Sequence, residues 1–133
     1  MLAIKTDKYD NKLHGAIQYL AEYRGVRLAA VIDNDGLIID HWERSGVDEE
    51  AYSPLILLML GQINAMLQKL GEDKANMVVI KNKNSWLTVH RFDNWTLAVI
   101  ADSETDDLLR VRIGQAAEMI KNHMNDKYPL LFR

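Results

Sequence analysis

AAVIDNDGLIIDHW, residues Ala29 to Trp42, decides how the rest of the chain is read. Three acids, Asp33, Asp35 and Asp40, surround Asn34 and Gly36. Such a cluster can be a calcium loop, a phosphate-binding turn or the tip of a hairpin. A calcium loop of the EF type needs oxygen ligands at positions 1, 3 and 5, glycine at 6 and a bidentate glutamate at 12. With Gly36 at position 6, Asp33 and Asp35 fall correctly, but Val31 and Trp42 take positions 1 and 12 and cannot bind calcium. A phosphate cradle needs several glycines and a helix start, and here three acids repel an anion. The hairpin remains: Asp33 or Asn34 starts a tight turn, and Gly36 takes the positive-φ position.

Working outward, the flanks Val26 to Asp33 and Leu37 to Trp42 are short, aliphatic and β-branched, which predicts two strands. Before them, NKLHGAIQYLAEYRG places Leu13, Ala16, Ile17, Leu20 and Ala21 at helical spacing, with Gly25 as the stop. After them a long helix extends to about Leu70, with Asp48 as its cap, Glu49 and Glu50 in the first turn and Gly71 at its end. Pro54 lies too deep for a free fit, so the helix kinks there or restarts with Ser53 as a cap. NMVVIK, SWLTVHRF and WTLAVIAD follow as three strands joined by KNKNS and by the two-residue turn Asp93-Asn94. A final helix lines Leu109, Ile113, Ala116, Ile120 and Met124 along one face. Ser103 or Thr105 can cap it, with Asp106 and Asp107 at its positive end. The order is α-β-β-α-β-β-β-α.

The 133 residues suit one α+β domain with a core over about residues 12–124 and a tail over 125–133. A net charge of −3 sets up no basic field for nucleic acid. There is no cysteine, which excludes disulfides and thiolate metal sites and suits a reducing compartment. The start MLAIKTDKYDNK has no signal-peptide core. The densest apolar run is interrupted by Gln62, Asn64, Gln68 and Lys69, short of the roughly 20 apolar residues of a membrane span. A cytoplasmic protein without membrane insertion is expected.

Residues that could carry chemistry do not assemble. His14, His41, His90 and His123 sit on four elements without metal-ligand spacing; His90 alternates with Trp86 and Thr88 on one strand face. No Gly-x-Ser-x-Gly elbow occurs. Arg110 and Arg112 point to different sides of the last helix. Trp86 and Trp95 could stack on bases, but are expected to pack across strands near the Asp93-Asn94 turn. The expectation is no catalytic residue, no metal and no cofactor.

The middle helix is the anomaly. One apolar stripe suffices to cover a sheet, and Ile56, Leu60, Ile63, Leu67 and Leu70 supply it. Leu55, Leu58, Met59 and Met66 extend the apolar surface further round. Gly61 costs about 1 kcal/mol in helix propensity and lets another backbone come close. Left exposed, the surplus stripe invites aggregation, so a homodimer, or a heterodimer with a similar chain, is expected through this helix.

The stretches YRGVRLAAVIDNDGLII and LGEDKANMVVIKNKNSWLTVHRFDNWTLAVIAD, with the closing helix, resemble the Roadblock family of dynein light-chain-like domains over roughly Lys12 to Met124. The resemblance implies a five-stranded antiparallel sheet of profilin-like type, the middle helix on one face and the terminal helices on the other. It implies dimers formed through the middle helix and the strand Met77 to Lys81, the two sheets joining edge to edge. The candidate interface is Leu55, Leu58, Met59, Gln62, Met66, Met77 and Val79. The resemblance further implies a non-enzymatic regulator or scaffold that binds a small Ras-like GTPase, in some members stimulating GTP hydrolysis. No universal catalytic residue comes with the family. Arg44, Arg91, Arg110 and Arg112 are only nominal arginine-finger candidates. A structural adaptor of the motor light-chain kind is the alternative, and a small-molecule sensor the third. Pro54 and the apolar tail YPLLFR depart from the commonest family pattern.

Overall fold

The computed structural model describes residues 2–44, Gly46 and 49–127, with only the backbone for 2–11, 49, 50, 126 and 127. The expected cap Asp48, the side chains of Glu49 and Glu50, and Tyr128 to Arg133 of the tail fall outside the described set. The elements are α1 (Leu2–Ala21), β1 (Val26–Asp33), β2 (Ile38–Glu43), α2 (Glu49–Lys69), β3 (Met77–Lys81), β4 (Ser85–Arg91), β5 (Trp95–Asp102) and α3 (Leu108–Lys127). The expected order holds. α1 begins well before the apolar spacing that marks it in the sequence.

The sheet is antiparallel throughout, in the order β2-β1-β5-β4-β3. β1 and β5 are central and buried on both faces, which is why they are near-continuous aliphatic runs. Alternation sorts their side chains. Val26, Ala29 and Val31 of β1, with Leu97, Val99 and Ala101 of β5, pack under α1 and α3. Leu28, Ala30 and Ile32, with Ala98 and Ile100, pack under Ile56 and Leu60 of α2. All five apolar residues assigned to the α3 face are buried. The sheet therefore separates two cores, one beneath a helix pair and one beneath a single helix.

The opening stretch is a hairpin tip. Asp33 carbonyl accepts the Gly36 amide at 3.1 Å, and Gly36 has φ of 89°. The Asp33 carboxylate accepts the amides of Asp35 and Leu37, both at 2.9 Å. Its charge thus satisfies turn amides, an Asx-type closure.

α2 passes through Pro54 without a second start. Ser53 is not a cap: its hydroxyl, 2% exposed, donates to the Gly36 carbonyl at 2.8 Å. A tertiary tie to the hairpin tip replaces the local one. The helix ends as expected. Glu72 amide reaches Leu67 carbonyl, Gly71 amide reaches Gln68 carbonyl, and Gly71 has φ of 78°, a Schellman closure. Leu70 lies past the last helical residue and is exposed, so it does not continue the core stripe.

Three further expectations are corrected. α3 is capped by neither Ser103 nor Thr105; the Asp106 carboxylate accepts the Leu108 amide at 3.2 Å. Gly25 lies four residues past α1, in a turn closed by Val26 amide to Tyr23 carbonyl, with φ of 99°. A Cβ on Gly25 would collide with the Thr105 hydroxyl, so glycine is required there for both conformation and space. Trp86 and Trp95 are not neighbours. Trp86 pairs with Ala101 at the far end of β5, while Trp95 stacks on Phe92 beside the turn. Both indoles are buried, which removes them as base-stacking platforms.

Candidate partner-binding surface

At 100° per residue, the side of α2 facing the sheet carries Ile56 and Leu60, both buried. One flank carries Leu57 and Asn64, and it is occupied. Leu57 is in reach of Gly36, and the Asn64 side-chain oxygen accepts the Ala75 amide at 2.8 Å, holding the connection to β3 against the helix. The opposite flank carries Leu55, Met59, Gln62 and Met66, with Leu58 on the outer pole. Leu55 and Leu58 are each 60% exposed, Met66 55%. Gln62 is also exposed. Gly61 opens outward, with no atom within 4 Å of where a Cβ would stand. Met59 is half-buried and packs against the core beneath the helix.

Met77 and Val79 are exposed on β3. Their ladder partners are His90 and Thr88, on the strand face that also carries Trp86 of the α1–α3 core. They therefore project away from α2. Val78 and Ile80, opposite Val89 and Leu87, share the α2 face. The structure splits the expected set: a helix flank on one side of the sheet, two strand residues on the other, joined only through the strand edge. Ile80, exposed beside the helix face, was missed by the sequence reading. Alternation along MVVIK separates Met77 and Val79 from Val78 and Ile80, but which pair sits beside α2 is set by the ladder with β4.

The two sheet edges differ. On β2 the Asp40 carboxylate accepts the His41 amide at 2.8 Å, and His41 pairs with Glu43 at 3.0 Å. These charges blunt that edge. β3 is Met-Val-Val-Ile-Lys, charged only at its end, and among the described residues nothing pairs with its outer side. An edge of this kind is a template for another strand.

Several other polar groups are engaged within the fold. Arg27 and Arg44 both hold Asp102, at 3.0 and 3.3 Å. Arg112 donates to the Tyr19 carbonyl at 2.9 Å and lies over the Tyr19 ring at 4.2 Å. Tyr23 donates its hydroxyl to Asp106, which, with burial and the carboxylate's charge, raises its pKa above 10.0, against an opposing pull from Arg112. Tyr23, Arg44, Asp102, Asp106 and Arg112 border a cleft of about 630 Å³ beside the α1–β1 turn and the β5–α3 connection. Arg91 donates to the Ala75 carbonyl at 3.2 Å, and Arg110 is exposed on α3. His14 meets Asp40 at 3.2 Å, and His123 is buried. Among the described residues no group of three His, Cys, Asp or Glu could hold a metal ion. No helix among them is long and apolar enough to cross a membrane.

A five-stranded antiparallel sheet with one helix on one face and two on the other defines a profilin-like α+β domain. Residues 16–101 match the Roadblock/LC7 domain, and the chain belongs to that family. The fold is similar to that of Myxococcus xanthus MglB, with a TM-score of 0.79 at 17% identity over 87% of this chain and 90% of the other. It is similar to the gliding protein MglB of Thermus thermophilus, with a TM-score of 0.77 at 16% identity over 87% and 90%. A Roadblock/LC7 domain of Streptomyces avermitilis superposes with a TM-score of 0.69 at 18% identity over 86% and 96%. No curated protein sequence matches the chain.

Proposed function

We propose that this chain is a non-enzymatic, dimeric regulator or scaffold for a small Ras-like GTPase. The observation that carries the reading is an exposed apolar flank on α2 together with an unguarded strand edge at β3. Fully burying an aliphatic side chain contributes about 1.5–3 kcal/mol. Leu55, Leu58, Met66, Met77 and Val79 retain roughly half of that, so the five from each of two copies amount to about 10 kcal/mol. That is of the order of the association cost, about 4–15 kcal/mol, before backbone pairing along β3 is added. The GTPase as partner rests on membership of the Roadblock/LC7 family and on the family trait of binding such proteins.

The test is affinity capture from the source organism's lysate with the dimer as bait, once with a GTP analogue and once with GDP. Retention of a small GTPase with the analogue alone supports a regulator or effector. Capture of the same proteins in both favours a constitutive adaptor, and absence of any GTPase removes the reading.

A further inference from the structure

α3 carries a second apolar row besides its core face. Leu108, Val111 and Met119 are 65%, 58% and 41% exposed. At 100° per residue they fall, with Gln115, within about 80° of the helix circumference, turned away from the buried Leu109, Ile113 and Ile120. The row extends over about 16 Å, three turns of helix. One side of it is bounded by α1. There the Tyr19 hydroxyl donates to the Gln115 side-chain oxygen, and the Arg112 guanidinium lies over the Tyr19 and Tyr23 rings at 4.2 and 5.2 Å. Gly15, one turn before Tyr19 on α1, is exposed and adds no side chain. The two helices thus enclose a shallow groove, with half-buried Tyr19 at its floor and Leu108 and Met119 along one wall.

The other side of the row is acidic. Asp107 and Glu118, both exposed, stand about 65–85° from the centre of the row. Arg110 and Lys121 are turned further round the helix, about 125–145° away. On the α1 side the Arg112 charge is tied down by the Tyr19 carbonyl and the two tyrosine rings. The open rim of the groove therefore presents carboxylates.

We propose that this groove docks an amphipathic helix of a protein partner, apolar where it meets Leu108, Val111 and Met119 and bearing Lys or Arg where it meets Asp107 and Glu118. Anchors at helical spacing are how such a helix is held in a groove, and opposite charges at the rim fix its register and suppress wrong partners. The same acids count against other occupants. A second copy laid antiparallel on the row would set Asp107 against Glu118 of the other copy, like charges side by side. A membrane surface of anionic lipid attracts basic segments and would repel this rim. The groove lies on the opposite face of the sheet from α2. It is open in the monomer and in a dimer paired through α2 and β3, and it does not rest on the GTPase reading.

Two model helices serve as probes, a leucine-striped peptide flanked by lysines and the same stripe flanked by glutamates. Methyl NMR of the full chain follows Leu108, Val111 and Met119, with Leu55, Leu58 and Met66 of α2 as the control. The expected result is that the lysine-flanked peptide shifts the α3 methyls and the glutamate-flanked one does not. Val111→Arg should weaken binding by about tenfold or more, the effect of losing an anchor. Asp107→Lys with Glu118→Lys should reverse the preference between the two peptides. All three positions are exposed, so circular dichroism should stay unchanged. Shifts confined to α2, equal binding of both peptides, or no shift in either overturns the proposal. So does sedimentation in which Val111→Arg breaks up an assembly larger than a dimer, which would give the face to a second copy.

Discussion

Replacing Gly25 by alanine tests how the α1–β1 turn is locked to the segment before α3. At φ of 99° an L-residue is strained by about 1–2 kcal/mol. The new Cβ also collides with the Thr105 hydroxyl, and forcing an extra methyl into a packed site costs about 1–3 kcal/mol. Together these predict a loss of about 2–5 kcal/mol. With about 2.1 cal/mol/K of unfolding entropy per residue, 1 kcal/mol moves Tm by roughly 3–4 °C in a chain of this length, so the drop is about 7–18 °C. Thr105→Ala removes the obstructing atom. That hydroxyl is buried and makes no hydrogen bond among the described residues, so its loss alone changes little. The double variant recovers the steric part and keeps only the backbone strain, a coupling of about 1–3 kcal/mol in a double-mutant cycle. Urea or thermal unfolding at one fixed protein concentration measures it, because association adds to apparent stability. A Gly25→Ala variant within about 0.5 kcal/mol of the parent, the range of an ordinary surface change, or a double variant no more stable than Gly25→Ala, refutes the reasoning.

Ser53→Ala removes the only hydrogen bond joining α2 to the hairpin tip among the described residues and leaves the Gly36 carbonyl without that donor. The expected loss is about 1–3 kcal/mol, read by urea unfolding, whereas a true helix cap would instead show fraying near Pro54 in hydrogen exchange. Burial holds the His90 pKa below 6.5. Its neutral form is favoured in the fold, so its contribution is full above about pH 6.5 and is lost as pH falls through about 6.5 toward the folded value. An NMR titration of its ring should give a midpoint under 6.5, and an ordinary midpoint would contradict the burial. Leu58→Arg places a charge on the outer pole of α2, where the monomer does not need the side chain. The dimer dissociation constant should rise by about ten- to hundredfold, or roughly 1.4–2.8 kcal/mol, with circular dichroism unchanged; an unaltered dimer would move the interface elsewhere.

What was legible in the sequence was whatever local chemistry decides. Asp33 and Gly36 marked the hairpin, Gly71 the end of α2, and the aliphatic runs of β1 and β5 the centre of the sheet. What was not legible depended on partners distant in the chain. Ser53 before Pro54 has the form of a cap and start, yet its hydroxyl finds Gly36, far back in sequence. Trp86 and Trp95 are both on strands flanking one turn, but the register sets them at opposite ends. The beginning of α1 carries no apolar spacing, so nothing local announced it. On β3, the choice between Val79 and Ile80 as the residue beside α2 needed the ladder with β4. The α2 flank itself was readable because it has more apolar residues than one core can take.

Pairing through α2 and β3 is put to the test by sedimentation equilibrium of the native chain at micromolar to tens of micromolar concentration. The predicted result is a species of twice the 15.3 kDa chain mass, with only monomer for Leu58→Arg in the lower part of that range. A native protein that sediments at 15.3 kDa at every concentration would contradict it as a homodimer.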